Sequence, residues 1–140
     1  PELAGSLTAM GWVVTPEGLG NLVSRVHRDY PEIPYLMITE NGSSYEDVVE
    51  SDGSINDVER TSYLVRHLAS LQKAIAAGVP VKGYFAWSLL DNFEWAEGYA
   101  KRFGLVHVDF ETQVRTPKDS AKAYAAIIAS NGAVLASVGR

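Results

Sequence analysis

The stretch Pro34-Tyr35-Leu36-Met37-Ile38-Thr39-Glu40-Asn41-Gly42 decides the fold of this chain. A short apolar run closed by a turn signal reads as a buried strand, and Asn41-Gly42 is such a signal. Glu40 therefore stands where a strand leaves the core, on the sheet edge where parallel α/β proteins carry their chemistry. A carboxylate there is a candidate for catalysis, set against the plainer reading of a solvated or capping group.

Working outward, Thr15-Pro16-Glu17 opens a helix: Thr15 can cap, Pro16 suits the first helical position and Glu17 favours the positive end of the dipole. Leu19, Leu22, Val23 and Val26 make its apolar face, and Pro31 ends it near Tyr30. On the other side of Glu40, residues 41–56 are rich in Asn, Gly, Ser and Asp and read as an exposed loop. The acids Glu46, Asp47, Glu50, Asp52 and Asp57, in and beside this loop, are expected to be solvated, because their spacing does not follow a calcium loop. Asn56 with Glu59 resembles a capping box for a second helix whose buried stripe is Leu64, Leu68, Leu71 and Ile75, ending at Gly78.

Val81–Leu90 is a second apolar run, best read as a strand buried on both faces. Strand, helix, strand makes a parallel crossover. Residues 104–110 alternate and lead into a short hairpin, and Thr116-Pro117 is expected to launch a third helix with Ala121, Tyr124, Ala125 and Ile128 on one face.

Composition sets bounds on partners. The chain has 140 residues, 46% hydrophobic and 21% charged, which suits a packed domain and not a disordered one. A net charge of -5 argues against nucleic acid or an anionic membrane as main partner. No apolar stretch approaches the roughly 20 residues that cross a bilayer. With no cysteine there is neither a disulfide framework nor a thiolate metal site, and His27, His67 and His107 lack ligand-like spacing, so neither metal nor cofactor is expected. Pro1–Ser6 lacks a charged signal-peptide start, which makes the cytoplasm the expectation over secretion.

Parallel strands end at one rim, so Glu40 should lie near Trp87-Ser88-Leu89-Leu90-Asp91-Asn92-Phe93-Glu94-Trp95. That segment combines two acids with two indoles. Indole packs on the apolar face of a pyranose, and carboxylates accept hydrogen bonds from hydroxyls, so carbohydrate is the ligand class indicated.

These residues closely resemble glycoside hydrolase family 1, the retaining β-glucosidases. The resemblance is carried by Thr39-Glu40-Asn41-Gly42, by Gly83 through Trp95, by Lys101-Arg102-Phe103-Gly104-Leu105, by Arg115 through Ser120, and by Met10-Gly11-Trp12 with Pro16-Glu17-Gly18-Leu19. It implies an α/β fold, the C-terminal portion of a (β/α)8 TIM barrel, with about the last two barrel strands, their helices and an end hairpin. It implies that Glu40 is the nucleophile, that Glu94 and Trp95 bind glycone hydroxyls, that Trp87 floors the sugar site, and that a cis peptide joins Trp87 to Ser88. Phe103 would be a wall of the same pocket, with core packing as the other reading. Tyr84 and Phe85 are read as barrel packing. Glu94 also points to a neutral β-glycoside, since a carboxylate would repel a phosphorylated sugar.

The resemblance also implies what residues 1–140 lack. Retaining hydrolysis needs two carboxyl groups about 5–5.5 Å apart. The family's acid/base glutamate lies in an Asn-Glu-Pro motif, which does not occur here. A complete barrel needs about 250 residues, and a chain opening on Pro1 without an initiating Met reads as a single segment that is not a complete domain. Its expected partners are a β-glucoside and either the N-terminal part of the barrel or a second copy. The alternatives are a non-catalytic or self-associating fragment with residual sugar binding, and a parent acting as a transglycosylase.

Overall fold

The computed structural model describes residues 6–137; the signal-peptide reading, which rests on Pro1–Ser6, falls almost wholly outside them. The order is α1 (Pro16–Asp29), β1 (Leu36–Asn41), α2 (Val58–Ala76), β2 (Val81–Ala86), β3 (Val106–Val108), β4 (Arg115–Pro117) and α3 (Asp119–Ala129), with 3-10 turns at Trp95–Glu97 and Ala133–Ser137.

β1 and β2 pair in parallel, as the crossover predicts, with Leu36 opposite Val81 and Asn41 opposite Ala86. Alternation along β1 sorts its side chains: Leu36 and Ile38 pack on the cluster of Val23, Leu71, Ala74 and Val79 that joins α1 to α2. Met37 points the other way and is 44% exposed, as is Phe85 of β2 at 55%. The pair of strands thus has one face under helices and one bare face. Tyr84 also touches a second cluster, Leu68, Ile127 and Leu135, which seats α3 on α2.

Several local expectations are corrected by tertiary contacts. Thr116 and Pro117 do not start a helix but pair with His107 and Val106 in the small antiparallel sheet, where proline is tolerated at an edge; Lys118 becomes the N-cap of α3. The cap of α2 is Asp57 and not Asn56. Ile127, not Ile128, is the buried isoleucine of α3, because Ile127 is the one packed with Leu68. Leu22 and Ile75 lie at the margins of their stripes, on open grooves, and are exposed. Regular β2 pairing stops at Ala86, short of the expected Leu90.

Candidate active site

The carboxyl ends of β1 and β2 meet as the parallel pairing requires. The Trp87 amide donates to the Asn41 carbonyl at 2.9 Å, which puts Glu40 and Trp87 on adjoining rim positions. Glu40 is exposed there. Its neighbour is locked: Asn41 Nδ2 donates to the Tyr63 hydroxyl at 3.1 Å, and the Tyr84 hydroxyl donates to Asn41 Oδ1 at 2.8 Å. A helix and a strand therefore hold the backbone from which Glu40 projects. Tyr63 is in turn stacked on His67, whose ring burial drives toward the neutral form.

The peptide between Trp87 and Ser88 is cis. Beyond it the chain runs beside residues 103–106: Ser88 donates to the Phe103 carbonyl and Leu105 to the Ser88 carbonyl, at 3.2 and 2.9 Å. Gly104 is required for this approach, since a Cβ would stand 2.2 Å from the Asp91 nitrogen. Trp87 is 36% exposed and Trp95 82%. Trp95 has φ 44°, a left-handed conformation that is an outlier for so bulky a residue. Glu94 precedes it, and its Oε2 is buried without a hydrogen-bond partner. Phe103 is only 3% exposed and packs near Trp12, with ring centroids 6.2 Å apart, so within this chain it lies beneath the surface.

Asp91, the other acid of the segment, turns away from the rim. Its Oδ1 accepts from Lys118 Nζ and the Gly104 amide, both at 2.9 Å, and its Oδ2 from Arg102 at 2.6 Å. Burial raises the cost of ionising Asp91, but Lys118 and Arg102 together outweigh it and hold the carboxyl below its usual range. A depressed folded value means that this stabilisation is complete above the unfolded aspartate pKa of about 3.9 and disappears as the pH falls through the folded value. In acid unfolding of the complete barrel, the stability gap between wild type and Asp91→Asn should therefore narrow as the pH drops below about 4. Asp52 and Asp109, held low chiefly by Ser54 and by the Thr112 and Glu111 amides, remain in both proteins. A gap independent of pH would refute the assignment.

The acidic loop is not uniformly solvated. Asp47 and Asp57 have fully buried side chains, with Arg60 bound to both. Sequence reading missed Arg60, although it lies four residues before Leu64, on the same buried stripe of α2. Asp47, Asp91 and His107 offer ligand atoms within 4.8 Å of one another. Lys118, however, places its ammonium against both carboxylates, so a cation of the protein's own already stands there.

Two parallel strands backed by helices, with a carboxylate and an indole on their carboxyl rim, make this the C-terminal portion of a (β/α)8 barrel. The sequence profile of Glycosyl hydrolase family 1 matches residues 2–133, and the chain belongs to that family. It is 52% identical over 125 residues to Beta-glucosidase A of Thermotoga maritima, covering 89% of this chain and 28% of that protein. The crystal structure of a psychrophilic beta-glucosidase from Micrococcus antarcticus superposes with a TM-score of 0.89 at 58% identity, over 94% of this chain and 28% of that one. A 6-phospho-beta-galactosidase of Leptotrichia buccalis is 50% identical over 84% of this chain and 25% of its own length. The chain thus spans under a third of the length of these relatives.

Proposed function

We propose that this chain is the part of a retaining β-glucosidase that carries the nucleophile, Glu40, and one side of the glycone site, Trp87, Glu94 and Trp95. The observation that carries the reading is the Thr39-Glu40-Asn41-Gly42 turn at the carboxyl end of β1, hydrogen-bonded to Trp87 at the end of β2. Glu94 Oε2, buried and unpartnered, supports a role as acceptor for sugar hydroxyls, because a buried carboxylate oxygen left without a donor is costly. Phe103 supports the floor from below through its contact with the backbone of Ser88. The relatives include phosphoglycosidases, so similarity does not choose the substrate; the carboxylate of Glu94 disfavours a phosphate dianion and favours a neutral glycoside.

In the reaction, a Glu40 oxygen attacks the anomeric carbon while a carboxylic acid from the rest of the barrel protonates the departing glycosidic oxygen. Water, deprotonated by that same group, then attacks the glycosyl ester and frees Glu40. The bare face carrying Met37 and Phe85 is covered in this reading by the remaining barrel strands. The product anomer tests the proposal. The complete barrel hydrolysing an aryl β-glucoside should release β-glucose first by proton NMR, and residues 1–140 alone should release none. First release of α-glucose would refute retention, and turnover by the isolated segment would refute the division of labour.

A further inference from the structure

Behind the rim, three carboxylates and three cations are gathered where a core is expected to be apolar. Lys118 is the centre, with no exposed side-chain surface. Its ammonium lies 2.5 Å from Asp47 Oδ2 and 2.9 Å from Asp91 Oδ1. Asp47 Oδ1 accepts from Arg60 at 3.0 Å, and Arg60 also binds Asp57 and donates to the carbonyls of Ser43 at 3.4 Å and Arg102 at 2.9 Å. Arg102 closes the ring on Asp91.

The endpoints of this chain of charges are informative. Ser43 is three residues past Glu40, and Asp91 stands between Trp87 and Glu94. Asp47 belongs to the loop that follows the proposed nucleophile; Asp91 belongs to the segment that carries the proposed sugar contacts. Direct backbone pairing joins these two stretches only at Trp87 and Asn41, at the start of both. Farther out, the ammonium of Lys118, brought in from the start of α3, makes the close bridge between them, with His107 Nδ1 beside it at 3.8 Å from Asp47 and 3.6 Å from Asp91.

We infer that Lys118 is a positioning residue for the proposed reaction: by clamping Asp47 to Asp91 it sets the separation between Glu40 and the Trp87–Glu94 segment. The inference rests on the proposed roles of Glu40 and Glu94 and goes beyond them. Without the ammonium Asp47 keeps Arg60 and Asp91 keeps Arg102, but the two carboxylates lose the cation they share and with it the attraction that draws the two stretches together. Lys118 touches no substrate; its effect passes through geometry, to which attack at the anomeric carbon is highly sensitive.

The test uses the complete barrel and an aryl β-glucoside at 25 °C. Lys118→Met should lower kcat by about 100-fold with a smaller change in KM, and Lys118→Arg, which keeps a cation, should recover part of the loss. Val23→Ala, a core truncation between α1 and α2, serves as the stability control: it lowers the melting temperature but should leave kcat unchanged. Folded Lys118→Met with wild-type kcat, or an equal kcat loss in Val23→Ala, would overturn the inference. Should Lys118→Met not fold, Asp47→Asn gives the same readout, with a kcat drop expected and wild-type kcat overturning it. Glu40→Gly in the same assay keeps the two readings apart. If Glu40→Gly is inactive while Lys118→Met is normal, only the positioning role falls; if Glu40→Gly is fully active, the proposed function falls instead.

Discussion

Glu40→Gly in the complete barrel should reduce hydrolysis of an aryl β-glucoside by about four to six orders of magnitude, the scale seen when a covalent nucleophile is removed. The fold should survive, because Glu40 is exposed and its truncation removes little buried surface. The vacated volume admits a small anion, so azide or formate should restore release of the aryl group. With azide the product should be the α-glucosyl azide, since one displacement replaces two and the configuration inverts. The measurement is the rate with and without azide, together with the anomeric coupling of the product. Wild-type hydrolysis would remove Glu40 from the chemistry, whereas loss of activity without anion rescue would indicate damage to the site and not removal of a nucleophile.

Gly42→Ala should be nearly as severe, for a mechanical reason. A Cβ on Gly42 would stand 1.7 Å from the Trp87 carbonyl oxygen and 2.7 Å from its carbon. Both obstacles are backbone, so no side chain can swing aside. The turn after Glu40 must move away from the Trp87 segment, breaking the 2.9 Å bond between Asn41 and Trp87 on the way. Destabilisation of about 3 kcal/mol or more is expected, at or above the upper end for overpacking, and kcat should fall with it. Gly53→Ala makes the comparison sharp: Gly53 has φ 82° but open space around it, so only the backbone strain of about 1–2 kcal/mol applies and activity should persist. Equal behaviour of the two variants in thermal melts and rate assays would contradict the close approach at the rim.

The sequence made the strands and the rim legible because their signals are local. An apolar run followed by Asn41-Gly42 identifies β1, and crossover length alone makes β2 parallel to it. The packing stripe of α2 was equally legible at Leu64, Leu68 and Leu71, since a period of 3.6 is a property of neighbours. The Thr116-Pro117 pair was misleading for the opposite reason. Its helix-start chemistry is sound, yet pairing with Val106 and His107 outweighs it, and no window of sequence contains that partner. The charge cluster was hidden by distance along the chain: Asp47, Asp91 and Lys118 come from three separate stretches, a polar loop, a segment whose acids pointed to sugar binding and a helix start, and no window of sequence contains all three. Asn41 was visible as a turn residue, but not as the group held between Tyr63 and Tyr84.

Burial gives the Lys118 cluster a further property. Mobile ions weaken charge pairs that water can reach, such as Arg25 with Asp29 on α1, whose side chains are 73% and 39% exposed. Lys118 and Asp47 have no exposed side-chain surface, so dissolved salt has no room to collect between them. The Lys118–Asp47 contact is thereby shielded from the ionic strength of the medium, whereas Arg102, with 23% of its side chain exposed, is the member of the cluster that salt can reach.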